Sequence, residues 1–177
     1  MIKKYQLSFI AFLALVSFTS YATDVEIQIT GKVVTQTCNV INDDKEKHVA
    51  FADFNQTMFK TIGDVSESKP VKIKLENCNP SIDKISYQFS GEPEPSDTSL
   101  LKVLGNSQGA IVSSGLAIQI LDSSQSPIKL NQSYTLNNII FKDVGKYDFD
   151  FFLRYKSIGV VTIGDASSVL YLDFNYE

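Results

Sequence analysis

Two cysteines, one histidine and a few closely spaced carboxylates are the residues of this chain whose types admit chemistry. Cys38 and Cys78 stand 40 positions apart with no other thiol beside them. In an oxidising compartment an even count reads most simply as one disulfide, and closing a loop of about 40 residues stabilises a fold by roughly 4 kcal/mol in the chain-entropy model. The rival reading is a two-cysteine metal site, which needs further ligands where His48 is the only histidine. His48 follows the charged run Asp43-Asp44-Lys45-Glu46-Lys47, expected to be a solvated turn, and Glu92 and Glu94 flank Pro93 in an expected loop. Asp148 and Asp150 fall on the wet face of a strand, without the ligand spacing of a calcium loop. General acid–base and nucleophilic catalysis require groups that converge with a chemical partner. The sequence offers none, so no enzyme, catalytic residue, metal or cofactor is expected.

The compartment is read from the first residues. Lys3 and Lys4 precede an apolar run over residues 7–18, and Ser20-Tyr21-Ala22 has the small-x-small form of a signal-peptidase site, so residues 1–22 are expected to be a signal peptide. A run of that length is too short to cross about 30 Å of hydrocarbon as a helix. The mature chain, residues 23–177, is expected to be exported, soluble and a single domain. Without Lys3 and Lys4 it carries 14 basic and 20 acidic residues, a net charge of −6, which argues against nucleic-acid and anionic-membrane partners.

The elements that must position these residues are strands. Val71, Ile73 and Leu75 alternate with Lys72, Lys74 and Glu76, and Ile85, Tyr87 and Phe89 alternate with polar residues in the same way. Leu116, Ile118 and Ile120 repeat the pattern, Tyr147, Phe149, Phe151, Leu153 and Tyr155 form its longest run, and Leu170, Leu172, Phe174 and Tyr176 its last. Period-two alternation marks strands with one wet face. Turn-formers separate the runs at Asn79-Pro80, at Gly91 with Pro93 and Pro95, at Gly105-Asn106, over residues 123–127, at Asn137-Asn138 and at Gly164-Asp165, while residues 64–69 read as a polar loop. Short strands punctuated in this manner predict an all-β antiparallel sandwich.

The two ends depart from ordinary edges. Val25, Ile27, Ile29, Gly31 and Val33 alternate with Glu26, Gln28, Thr30 and Lys32 directly after the expected cleavage site. This segment is either the first strand of the domain's own sheet or a strand donated to another molecule. At the far end the apolar phase runs through Tyr176 to the residue before Glu177. A terminal strand beside a gap in a sandwich exposes unpaired backbone and an apolar groove, a hazard unless something covers it.

From these residues the chain resembles the chaperone–usher pilins, the subunits of type 1 fimbriae. The resemblance is carried by residues 24–34, by Thr37-Cys38-Asn39-Val40, by residues 70–78 ending in Cys78, by Phe89-Ser90-Gly91, by residues 115–122 and by the two C-terminal stretches 164–167 and 174–177. It implies an immunoglobulin-like sandwich, incomplete for want of its seventh strand, filled first by a periplasmic chaperone and then by the N-terminal extension of a neighbouring subunit. Chaperone–pilin complementation is a named case of β-strand addition, in which backbone hydrogen bonds give affinity and side-chain pockets give specificity.

The resemblance divides the chain into a signal peptide (1–22), a donor extension (23–35) and a pilin domain (36–177). Val25, Ile27, Ile29 and Val33 would fill pockets on the neighbour, with Gly31 at a shallow site or at a local bulge. Leu170, Leu172, Phe174 and Tyr176 would line the acceptor groove, and the chaperone would hold the carboxylate of Glu177. An outer-membrane usher and neighbouring subunits, the same or related, complete the implied partners, and a cell-surface fimbrium reached through the periplasm is the implied location. A carbohydrate-binding tip adhesin is the alternative; such proteins carry a further lectin domain, for which 155 mature residues leave no room. The Gly31-Lys32-Val33-Val34 ending resembles tip-fibrillum subunits, yet rod subunits share the pattern, so rod and tip positions both stay open.

Overall fold

In the computed structural model the described residues are 37–105, 111–141, 143 and 145–177. Alternation becomes strands where it was expected: β2 (Lys69–Glu76), β3 (Lys84–Ser90), β6 (Leu116–Leu121), β9 (Tyr147–Ser157) and β10 (Tyr171–Tyr176). To these the structure adds β1 (Asn39–Val40), β4 (Pro93–Glu94), β5 (Asp97–Lys102), β7 (Pro127–Ile128) and β8 (Ser133–Asn137). One sheet runs in the order β1-β2-β9-β6-β5-β4 with β7 attached to β6, and the other runs β10-β3-β8. Every pairing in both is antiparallel.

The inward faces meet in an aromatic core. Phe89 packs on Phe151 with ring centroids 4.8 Å apart, and Tyr87 meets Phe149 edge-on at 4.7 Å. Each is delivered by the pleat: Val71, Ile73 and Leu75 are buried while Lys72, Lys74 and Glu76 are exposed. On the outer face Lys72 bridges Asp148 at 3.2 Å and Asp150 at 3.6 Å. This is the cross-strand pairing that makes those carboxylates a strand-surface feature. The result is the all-β, immunoglobulin-like antiparallel sandwich expected from the sequence.

Cys38 and Cys78 form the disulfide. It closes the corner where β1 lies against the end of β2, with Asn39 opposite Glu76.

Three local readings change. The charged run becomes a short helix, α1 (Asn42–Lys45), because Asp44 is drawn inward: its carboxylate accepts from the Lys74 backbone N–H at 2.8 Å and from the Lys47 ammonium. Residues 64–69 are only partly loop. Ser66 is buried, its N–H donating to the Tyr155 carbonyl at 3.0 Å and its hydroxyl accepting from the Tyr155 N–H at 2.9 Å, so it extends the sheet past the start of β2. The turn at Gly91 contains β4, which pairs with β5 in a tight hairpin.

Candidate functional site

The inward side chains of β10 and of its neighbour β3 stand on the same sheet face but differ in burial. Leu172 lies opposite Phe89, Phe174 opposite Tyr87, and Tyr176 opposite Ile85. The three β3 residues are buried, whereas Leu172, Phe174 and Tyr176 are only half-buried. The difference arises at the edge: among the described residues β10 pairs with β3 alone, and its other side carries no strand. An edge of this kind presents a row of backbone donors and acceptors next to uncovered apolar surface.

Beside that edge the sandwich is open along a groove of about 1110 Å³. Val71, Ile73, Phe151, Leu153, Leu116 and Ile118 form its floor, all inward residues of the large sheet. Leu170, Leu172 and Phe174 form one bank. Phe174 is set edge-on against Phe149 at 5.2 Å, and Tyr176 stacks on Phe174 at 6.3 Å. Tyr176 itself packs on the core next to the groove and does not line it; burial pushes its hydroxyl pKa up.

The opposite bank is residues 44–54, which run antiparallel to β2. Its position follows from anchors at successive levels. The Asp44 carboxylate meets the Lys74 N–H, the Lys47 ammonium donates to the Lys72 carbonyl at 2.6 Å, and the Lys69 ammonium donates to the Ala50 carbonyl. Burial alone would raise the Asp44 carboxyl, but the hydrogen bonds from Lys47 and the Lys74 N–H hold it below the usual carboxylate range. Farther along, Phe51 and Phe54 lean on Tyr155 at 4.7 and 5.1 Å, and the Tyr155 hydroxyl donates to the Ala166 carbonyl at 2.6 Å, fixing the groove's far end.

Of the residues singled out from the sequence, Leu170, Leu172 and Phe174 therefore come together on one bank with Tyr176 adjoining. Glu177 lies past β10, where its backbone oxygen accepts from the N–H groups of Asp83 and Lys84 at 3.1 and 3.2 Å. Val25, Ile27, Ile29, Gly31 and Val33 lie outside the described residues. His48 is exposed at the groove rim. Glu92 pairs with Lys102, and Glu94 accepts from Ser96. The bank of residues 44–54 was not legible in the sequence; the only hint was Phe51, Phe54 and Phe59 in a stretch that shows no strand alternation.

The groove has an apolar floor and one apolar bank beside the β10 edge that carries no strand among the described residues, while Asp44, Lys47, His48 and Asp165 also line it. An apolar trough along an uncovered strand edge has the form that β-strand addition uses in general, with hydrogen bonds to the edge and side chains inserted at every second residue.

Residues 27–177 match the family model described as fimbrial protein. The chain is 33% identical over 155 residues to the uncharacterized fimbrial-like protein YcbU of Escherichia coli K12, covering 86% of this chain and 84% of that one. It is 30% identical over 172 residues to long polar fimbria protein A of Salmonella typhimurium, covering 86% and 95%. Among solved structures, the P pilus rod subunit PapA superposes with a TM-score of 0.60 at 18% identity, covering 79% of this chain and 99% of that one, and shares the fold. A chaperone–usher pilus structure gives 0.63 at 19% identity over 90% and 99%. The chain belongs to the fimbrial protein family.

Proposed function

We propose that this fimbrial subunit is built into its fibre by donor-strand exchange, with residues 23–35 of one subunit entering the β10 groove of the next. The observation that carries the reading is the half-buried inward face of β10, whose β3 neighbours are buried while its own outer side bears no strand among the described residues. Every pairing between the named strands is antiparallel, so the incoming strand is assigned antiparallel to β10, its start near Tyr176 and its end near Leu170. Val25, Ile27, Ile29 and Val33 then insert between the banks, each burial contributing roughly 1.5 to 3 kcal/mol before ordering costs. Gly31 passes where the groove is shallow.

Before assembly the same groove needs a temporary occupant. A periplasmic chaperone supplying a strand to β10 and holding the Glu177 end meets that need, and an outer-membrane usher exchanges it for the next subunit. Residues 1–22 direct the chain to the periplasm, and the assembled fibre stands on the cell surface, where it supports adhesion. Deleting residues 23–32 leaves the β10 groove intact, so the truncated subunit is expected to bind chaperone and yet be unable to enter a neighbour. Recovery of that truncation at internal positions of normal fibres would overturn the proposal.

A further inference from the structure

The five most exposed large aliphatic side chains among the described residues are Val160 (88%), Ile140 (83%), Ile163 (80%), Ile111 (78%) and Ile62 (76%). Single exposed aliphatics are ordinary; the sorting of these is not. Four gather where β9 ends. Ile111, Val160 and Ile163 ride on two loops stitched together by Ile158 N–H to Gly115 carbonyl at 2.9 Å, Thr162 N–H to Ser114 carbonyl at 3.2 Å, and Asp165 N–H to Ile111 carbonyl at 2.7 Å. Ile62 joins them through its neighbour Gly63, whose N–H donates to the Ser157 carbonyl at 2.9 Å. The approach is close enough that a Cβ on Gly115 would stand 2.3 Å from the Val160 carbonyl oxygen. This apolar rim is thus held in one shape.

Ile140 lies at the other pole. Its neighbour Ile139 donates to the Asp83 carbonyl at 3.3 Å, and Phe141 packs edge-on against Tyr147, where β9 begins. The 11 residues of β9 separate the poles, about 36 Å at 3.3 Å per residue. Thr37, the first described residue, is at the Ile140 pole, its carbonyl accepting from the Asn79 N–H at 3.2 Å.

We infer that the rim of Ile62, Ile111, Val160 and Ile163 is a second contact between consecutive subunits, covered by the Ile140 pole of the copy whose extension fills the groove. The inference rests on the donor-strand reading. An extension antiparallel to β10 ends beside residues 163–168, at the rim. From Val33 to Thr37 only four residues remain, a reach of at most about 14 Å. The donor's body must therefore abut this end, and the face it turns there is the one from which its own extension leaves. Rim and Ile140 sit at opposite poles of one chain, so the contact is head-to-tail and repeats along a fibre. The occupant is a second copy of this chain.

The test uses the full-length chain with Val160→Asp plus Ile111→Asp, with Ile140→Asp, and with Val160→Cys plus Ile140→Cys treated with a short bismaleimide. Neither Val160 nor Ile111 lines the groove, so a peptide of residues 23–35 should bind the aspartate variants as it binds the parent. Fibre formation should be lost in both, and the double-cysteine chain should give a ladder of cross-linked oligomers absent from either single variant. Parental fibre yield from the aspartate variants, with no ladder from fibres of the double-cysteine chain, overturns the rim contact and leaves the groove standing. Failure of the peptide to bind even the parent overturns the donor-strand reading itself.

Discussion

At the scale of single residues, Asp44 shows what a sequence conceals. It stands among Asp43, Lys45, Glu46 and Lys47, and nothing in that run distinguishes one carboxylate as buried; only the backbone N–H of Lys74, 30 positions away, does so. Leu172 and Phe174, by contrast, were legible as inward residues because alternation assigns a face whatever lies opposite, whereas their groove role was only what the family resemblance implied. Asp44 ties α1, and with it the start of the groove's second bank, to β2. Asp44→Ala leaves the part-buried Lys74 N–H without its acceptor and is expected to cost about 1 kcal/mol, with Asp44→Asn falling between because an amide oxygen can still accept from Lys74. The carboxyl is held low in the folded protein, so its contribution is present above the ordinary carboxylate pKa near 4 and is lost as the pH falls through the lowered folded value. Urea midpoints at pH 7 and pH 3 check both points: the gap between parent and Asp44→Ala should be wide at pH 7 and narrow at pH 3.

At the scale of elements, the strands found by alternation are those whose sequence keeps a period of two, and β6 among them departs from the expected wet face, since Ala117, Gln119 and Leu121 are buried along with Leu116, Ile118 and Ile120. β5 escaped because Leu100 and Leu101 are adjacent and both buried, which erases the period of two. β8 carries Tyr134 and Leu136 in phase but spans only five residues between asparagine and serine-rich flanks. A helix of four residues such as α1 is too short to show any period. The proposed donor segment alternates Val25, Ile27, Ile29 and Val33 with polar residues and lies outside the described residues. Ile29→Asp places a carboxylate among those apolar positions without a partner, at a desolvation cost of several kcal/mol if buried. Subunits carrying Ile29→Asp should accept a neighbour's strand but fail to donate, so fibres grown from a mixture with the parent should shorten as the variant fraction rises. Fibre lengths by electron microscopy check this.

At the scale of the whole molecule, the sandwich is an opened one: a floor from the large sheet, one bank from β10, and a second bank from residues 44–54 that only the folded chain brings into place. The disulfide closes the corner next to Thr37, from which the proposed donor strand departs, so the segment that leaves the domain is anchored at its root. On the proposed reading, donor strand, groove and apolar poles serve one purpose, the addition of units in line. The claim that the groove takes a strand of this chain is tested most directly by the melting temperature of a subunit lacking residues 23–35, mixed with a synthetic peptide of those residues. At a peptide concentration about a hundredfold above Kd, linkage predicts about 2.7 kcal/mol of added stability and a corresponding rise in Tm, abolished by Ile27→Asp or Ile29→Asp in the peptide; an unchanged Tm with the parent peptide would contradict the account.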